Sequence, residues 1–326
     1  MLNALETRAD IALALPPAEQ GLHNRCDHGT RGAHVWPLRD DWSTIIQAAR
    51  QLRSLIVGAG DNLCRMTLRV PVAWGDGPHS YQSGPGDGAW EVDTSRWACG
   101  MAIQEQLDDG RLRRGLVFYD GVGRLVLRSD LDASAPPGEF HALVRRFARG
   151  SPLSSTATRT GPGAVTSIAP DAVQRACGAI ISQGAADAAT NRQASAVPLG
   201  NDAVLEALRH ARAAGIEISA ILECRGVRLR WDGLVQALAA QRGWAMATGR
   251  DFELQWSEAS AALEARVMRE PTAAGLVQTI AVQSPGGDTR LLLRPASPAH
   301  AGAHPQPCAW RAAIEAALGG RCGQAC

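Results

Sequence analysis

The sequence contains no lysine, and all 33 of its basic residues are arginine. Two classes of chemistry are thereby excluded, because a Walker A phosphate loop and a Schiff-base enzyme both require a lysine amine. The chain also has no run of about 18 apolar residues, so no membrane-spanning helix is expected. With 32 acidic residues against the 33 arginines, the net charge is only +1, and no nucleic-acid partner is predicted.

Signals for export and for metal binding are also missing. The start of the chain, Met1–Glu6, lacks the positive segment and the long apolar core of a signal peptide. The eight cysteines are scattered, so we expect reduced thiols in a cytoplasmic protein. The histidines and cysteines grouped in residues 23–34 and 300–308 lack the spacing of a zinc site, and no metal is predicted.

The chain has the length and composition of a globular protein with two domains or one large duplicated domain, since 45% of its 326 residues are hydrophobic and 20% are charged. Hydrophobic periodicity predicts helices over residues 7–28, 40–57, 139–149, 171–186, 201–214 and 234–242, and from Trp310 onward. Alternation predicts strands over 63–74, 89–94, 99–107, 112–119, 124–128, 216–223, 226–231, 252–256, 261–269, 275–283 and 289–294.

The two halves of the chain resemble each other. The strand Arg124–Arg128 matches Arg290–Arg294, and each follows a glycine-rich turn and precedes a closing helix. We therefore expect an α+β fold with an internal duplication, in which each unit is a large antiparallel sheet with flanking helices. Residues 150–170 are rich in Ser, Thr, Gly and Pro, which is typical of a linker. The predicted units are a first repeat (1–150), a linker with a helix (151–200) and a second repeat (201–326).

Several motifs resemble those of the hemin-degrading, haem-utilisation proteins of Gram-negative bacteria. Residues Arg269–Gly275 are similar to that family's Arg-Lys-Pro-Thr-x-x-Gly signature, and Asp251–Leu254 to its Asp-x-Phe-Asn-Leu stretch. Phe118–Gly123 resembles Phe-Phe-Asp-x-x-Gly, and Arg192–Ala194 resembles an Arg-x-Gln-Ala helix. Trp310 and the arginine after it resemble the Trp-Arg pair that opens the family's last helix. The resemblance implies a cytosolic protein that binds haem in a cleft between two halves, as a carrier or as an enzyme that opens the porphyrin ring.

The chain departs from the family pattern where haem would be held. The axial histidine is missing, because the equivalent stretch contains Cys177 and no histidine occurs between His141 and His210. The lysine of the Lys-Pro-Thr motif is Glu270, and an arginine is also absent from residues 59–61.

The resemblance nevertheless implies three candidate haem-binding residues. A haem site needs an axial donor, an apolar slot and cations for two propionates. Arg192 and Arg294 occupy motif positions and are candidate partners of the propionates, while a Cys177 thiolate is a candidate axial ligand. An exposed arginine and a packed cysteine are the ordinary alternatives.

We therefore predict a cytosolic haem-binding protein that handles imported hemin for iron acquisition, with hemin and a haem uptake system as candidate partners. A carrier or sequestering role is favoured over ring cleavage, because the expected iron ligand is absent. One alternative is a non-haem binding or regulatory module that kept the fold. The other is a haem-degrading enzyme with a substitute axial ligand. The sequence identifies no catalytic residues.

Overall fold

The computed structural model describes residues 30–155 and 197–322, apart from gaps at 50–51, 53, 62, 72–79, 83–88, 108–109, 122, 132–134, 151–152, 242, 259–262, 273–274, 285–288 and 297–305. The helices predicted over 7–28 and 171–186 lie outside the described residues, as do Cys177 and Arg192. No helix in the described part of the chain is both long and apolar enough to span a membrane.

The elements alternate between long runs of strands and single helices. The first segment contains β1 (Thr30–Pro37), α1 (Trp42–Ala49), β2 (Ser54–Gly60), β3 (Cys64–Pro71), β4 (Ser80–Gln82), β5 (Ala89–Val92), β6 (Trp97–Leu107), β7 (Leu112–Asp120), β8 (Leu125–Leu131), α2 (Pro137–Phe147) and β9 (Leu153–Ser155). The second contains β10 (Val197–Leu199), α3 (Asn201–Ala213), β11 (Glu217–Cys224), β12 (Val227–Leu234), β13 (Ala237–Gln241), β14 (Trp244–Gly249), β15 (Phe252–Ser257), β16 (Glu264–Thr272), β17 (Gly275–Gln283), β18 (Thr289–Pro295) and α4 (Gln306–Cys322).

These strands form two large antiparallel sheets, as expected for the α+β class. The first sheet has ten strands in the order β13-β14-β15-β3-β2-β8-β7-β6-β1-β9. The second sheet has eight strands in the order β10-β16-β17-β18-β11-β12-β5-β4. The two orders match strand by strand when the second is read in reverse. The reversed order is β4-β5-β12-β11-β18-β17-β16-β10, and it corresponds to β14-β15-β3-β2-β8-β7-β6-β1 in the first sheet. We call two strands at the same place in these orders counterparts.

Each sheet is completed by a hairpin from the other segment. The β4–β5 hairpin of the first segment joins the second sheet, where β5 pairs with β12. The β14–β15 hairpin of the second segment joins the first sheet, where β15 pairs with β3. The two segments are therefore linked by backbone hydrogen bonds in both directions.

In the described part of the chain, the helices cover one face of each sheet. Along β7, Leu116 and Phe118 join the main core with α1 and α2, whereas Val117 belongs to a separate buried cluster on the opposite side. Along β18, Leu293 joins the core that contains α3 and α4, whereas Leu292 lies on the opposite side. We call the sides on which no described helix packs the far faces of the two sheets.

Two local predictions are wrong, and one short strand was not expected. The helix expected over residues 40–57 ends at Ala49, and the chain then forms β2. Residues 234–242 have helical spacing, but residues 237–241 form β13 because they pair along their whole length with β14. Within the expected linker, residues 153–155 form β9 on the edge of β1.

Candidate functional site

The far face of the second sheet places an arginine at the edge of an apolar surface. Arg294 lies on β18 opposite Ser219 of β11, and strand alternation puts it on the same side as Leu292. Ile221, Ala281 and Leu292 form the buried floor beside it, with Met268 packed against them. Arg294 itself is half-buried. This arrangement provides an apolar surface with Arg294 at its border and the Arg230–Asp232 ion pair opposite Ile221 and Ser219.

A buried hydroxyl beside Arg294 has no hydrogen-bond partner in the described part of the chain. Ser219 is 0% exposed, and its Oγ is one of the buried polar atoms without a partner. Leaving a buried hydroxyl unsatisfied costs about 1–3 kcal/mol, so such a group is a candidate ligand contact. An apolar floor, a cation and an unsatisfied hydroxyl suit a porphyrin with acidic side chains. The described residues of this face therefore fit the propionate end of haem.

Charged residues elsewhere on this face also form ion pairs. Arg290 lies on the same side of β18 as Arg294, and its guanidinium is 4.0 Å from a Glu223 carboxylate oxygen. Arg228 is 3.6 Å from the same glutamate, on the neighbouring strand. These exposed pairs form a charged rim at the end of the apolar floor away from Arg294.

Of the three residues predicted to hold haem, the structure places only Arg294. Arg192 and Cys177 fall outside the described residues, so their relation to this face stays a prediction. The described histidines are His34 on β1, His141 on α2 and His210 on α3. None of these three lies on the strands of the second far face.

The far face of the first sheet carries a buried ion-pair cluster that the sequence interpretation missed. Arg128 donates to a Glu105 oxygen at 2.6 Å and to Asp130 at 2.9 Å, and Arg113 donates to Glu105 at 2.7 Å. Burial alone would lower the pKa of Arg128, but the charges of Asp130 and Glu105 outweigh it and raise that pKa above its usual range. Burial raises the pKa of the neighbouring Tyr119 to about 12. The sequence feature that could have indicated this cluster is the spacing of Arg128 and Asp130, because residues two apart in a strand lie on the same side.

A buried carboxyl lies on the same side of the first sheet, at the exchanged hairpin. Glu253 of β15 is opposite Thr67 of β3, and burial raises its pKa to about 7 against the opposing effects of Gln255 and Arg65. Gln255 donates a hydrogen bond to Glu253. The guanidinium of Arg65 lies over the ring of Trp244, 4.9 Å from its centroid. The Glu253 carboxyl therefore ionises close to neutral pH.

The cysteines differ in part from the expectation that all are reduced thiols. Cys99 is disulfide-bonded, which corrects that expectation at this residue. Cys64, Cys224 and Cys308 are free. Cys224 accepts a hydrogen bond from the Thr289 hydroxyl at 3.2 Å. Burial raises the pKa of Cys64, which makes this thiol a poor nucleophile.

Proteins of known structure share this fold. ChuS, a heme-degrading enzyme of Escherichia coli O157:H7, has a TM-score of 0.65 and 17% identity over 87% of this chain and 86% of its own. Another structure of ChuS, described as an E. coli heme oxygenase, gives 0.64 and 19% over 97% of this chain and 98% of its own. PhuS in its holo form, a heme-binding protein from Pseudomonas aeruginosa, gives 0.63 and 18% over 86% of each chain. No protein-family model and no curated protein sequence matches the chain. The resemblance to haem-utilisation proteins is therefore confirmed at the level of the fold: this chain folds as ChuS and PhuS do.

Proposed function

We propose that this protein binds hemin on the far face of its second sheet and carries or sequesters it for iron acquisition. The observation that carries the proposal is the position of Arg294, beside the unsatisfied hydroxyl of Ser219 and at the border of an apolar floor. Bound haem supplies the iron; the residues of this chain hold the porphyrin and neutralise a propionate. Arg192 and Cys177 stay proposed as a second propionate partner and an axial ligand.

The organisation of the chain agrees with an internal duplication. Matching strand orders in the two sheets and the Arg124–Arg128 and Arg290–Arg294 repeats support two related units, 1–150 and 201–326, joined by residues 151–200. We also propose a cytoplasmic location and delivery of hemin by a haem uptake system. Carrying hemin is favoured over ring cleavage because the sequence has no histidine where the family has its axial ligand.

A hemin titration of the purified protein tests the proposal. We expect a shifted and sharpened Soret band that persists when a mild reductant is added. Loss of that band with release of iron would instead identify a haem-degrading enzyme. No change in the Soret band would refute haem binding and support a module that kept the fold without the ligand.

A matched pair of variants tests the role of Arg294. Arg294→Gln removes the proposed partner of a propionate, whereas Arg290→Gln removes an arginine from the same strand and the same face that is held by Glu223. A charge-assisted hydrogen bond is worth about 1.5–3 kcal/mol, so Arg294→Gln should weaken hemin binding about tenfold or more. Arg290→Gln should leave it nearly unchanged. Hemin dimethyl ester, which lacks the propionate charges, should bind the parent protein and Arg294→Gln equally weakly.

A further inference from the structure

A methionine borders the apolar floor of the second sheet. Met268 lies on β16 opposite Thr279 of β17, is half-buried and packs against the floor. Its Sδ atom is 4.0 Å from a terminal nitrogen of Arg290, an arginine that extends over the same face from β18. Because Arg290 lies on the far face, this contact places the sulfur on the outer side of the sheet, above the floor.

Met268 lies in the same row of residues across the sheet as Arg294. Ile280 of β17 is opposite Leu293 of β18, so Thr279 and Arg294 are the next residues along these strands, on the far side. Since Met268 is opposite Thr279, two strand spacings separate it from Arg294, which is about 10 Å. This separation is comparable with the reach of a porphyrin from its centre to its propionates. A haem whose propionate meets Arg294, and which lies along this row, has its centre near Met268.

Among the described residues of this face, Met268 is the side chain best suited to bind haem iron. The described histidines lie elsewhere, on β1, α2 and α3. Cys224 ends β11 on the core side, because Glu223 before it lies on the far face. The carboxylates of Glu223, Asp232 and Glu264 are held in ion pairs with arginines. A thioether needs no deprotonation to donate to iron, and methionine is one of the side chains that hold haem in proteins.

We propose that Met268 is an axial ligand of the haem iron and binds it from the side of the sheet. This inference rests on the proposed function, because that function places hemin on this face. Cys177 stays proposed for the opposite side of the porphyrin. Iron held by the protein on both sides has no open position, which agrees with carrying hemin and not with cleaving its ring.

The side chain can reach this position at small cost. Methionine is unbranched and has three rotatable bonds, so its sulfur can turn outward while the rest of the chain stays packed on the floor. The contact that it gives up, with Arg290, is at 4.0 Å and therefore weak. Arg290 keeps its position beside Glu223. As a soft donor, the thioether should favour ferrous over ferric iron.

Methyl NMR of the full-length protein tests the ligand directly. The chain has five methionines, so a protein labelled with ¹³C at the methionine methyl groups gives five resolved signals. When hemin is added and reduced, one signal should move far outside its ligand-free range, because a methyl group on a ligating sulfur lies directly over the porphyrin. Met268→Leu, which conserves the side-chain volume, should remove this signal.

A second methionine provides the matched control. Met246 is also half-buried, lies on the far face of the first sheet, and its sulfur is 3.7 Å from the Gln255 amide nitrogen. Met246→Leu should keep the displaced signal. Met268→Leu should weaken the binding of ferrous haem at least tenfold more than that of hemin, which lowers the one-electron reduction potential by about 59 mV or more. Met246→Leu should leave the potential at that of the parent protein.

The outcomes separate this inference from the proposed function. A Soret shift on hemin addition, with all five methyl signals near their ligand-free positions after reduction, overturns Met268 as a ligand and leaves haem binding intact. A displaced signal that persists in Met268→Leu, or equal potentials for this variant and the parent, overturns it as well. If the Soret band of hemin does not change on mixing with the parent protein, the proposed function and the inference are both refuted.

Discussion

The indole of Trp231 stacks on the ring of Phe252, with centroids 4.1 Å apart and planes at 6°. Trp231 belongs to β12 of the second sheet and Phe252 to β15 of the first, so this contact joins the two sheets. The indole Nε1 donates to the carbonyl of Arg250 at 3.1 Å. Gly233 and Gly249 make room for the ring, because a Cβ at either would lie 2.7 or 2.4 Å from it. The turn of the exchanged hairpin is thus fixed to the opposite sheet.

Truncating this stack should destabilise the whole chain. Phe252→Ala removes a fully buried ring, and such substitutions cost about 3–5 kcal/mol. Urea unfolding monitored by tryptophan fluorescence and by far-UV circular dichroism should show one common, lowered midpoint for both probes. Leu112→Ala, at a residue that is 45% exposed, is the control and should change little. If only part of the circular dichroism signal were lost at that midpoint, the two sheets would not unfold as one cooperative unit.

The buried carboxyl of Glu253 should make stability depend on pH. Its pKa is raised from 4.5 to about 7 in the folded protein, so the folded state binds more protons than the unfolded state between these values. The free energy of unfolding should therefore fall as pH rises from about 4.5 to about 7, by up to about 3 kcal/mol. Glu253→Gln should flatten this part of the profile and be the more stable protein at pH 8.

Chemical unfolding at several pH values measures this effect. Glu206→Gln changes an exposed carboxylate on α3 and is the matched control, with a profile like that of the parent. A profile for Glu253→Gln that keeps the parent slope between about pH 4.5 and 7 would show that another group is responsible.

The unsatisfied hydroxyl of Ser219 predicts opposite effects on stability and on hemin affinity. Ser219→Ala removes a buried polar atom without a described partner, so the ligand-free protein should gain about 1 kcal/mol of stability. Hemin affinity should fall, because a contact of the proposed propionate site is lost. Ser129→Ala removes a similarly buried and unsatisfied hydroxyl from β8 and should raise stability without changing hemin affinity. Equal hemin affinities for both variants would exclude Ser219 from the site.

Cleavage of the chain between the two segments should not separate them. The Ser-, Thr-, Gly- and Pro-rich residues 156–170 are the expected first site of limited proteolysis. The pieces should stay together in native size-exclusion chromatography, because β5 remains paired with β12 and β15 with β3. They should separate in denaturant. Elution as two independent species at native pH would contradict the hairpin exchange.

Local patterns in the sequence were sufficient to predict most strands. Alternating residues identified β6, β7, β16, β17 and β18, because a half-buried strand must present one side to a core. The same reasoning failed at residues 234–242, where leucine and valine spacing suits a helix and only pairing with β14 selects a strand. Arg294 was proposed as a haem-binding residue from its position in the family motifs, and that role stays a prediction. The Glu105–Arg128–Asp130 cluster was missed, because Glu105 is 23 residues from Arg128 along the chain and meets it only across the sheet.

By itself, the sequence determined the α+β class, the positions of most strands and the absence of lysine chemistry, because these depend on composition and on neighbours along the chain. Only the tertiary structure decided which strands pair, which hairpin completes which sheet and which carboxylates surround Arg128. These properties depend on contacts between residues far apart in sequence, as where Arg128 meets Glu105 and Trp231 meets Phe252. Arg128 thus acquires Glu105 as a partner from another strand, and Arg294 comes to lie opposite Ser219 beside an apolar floor.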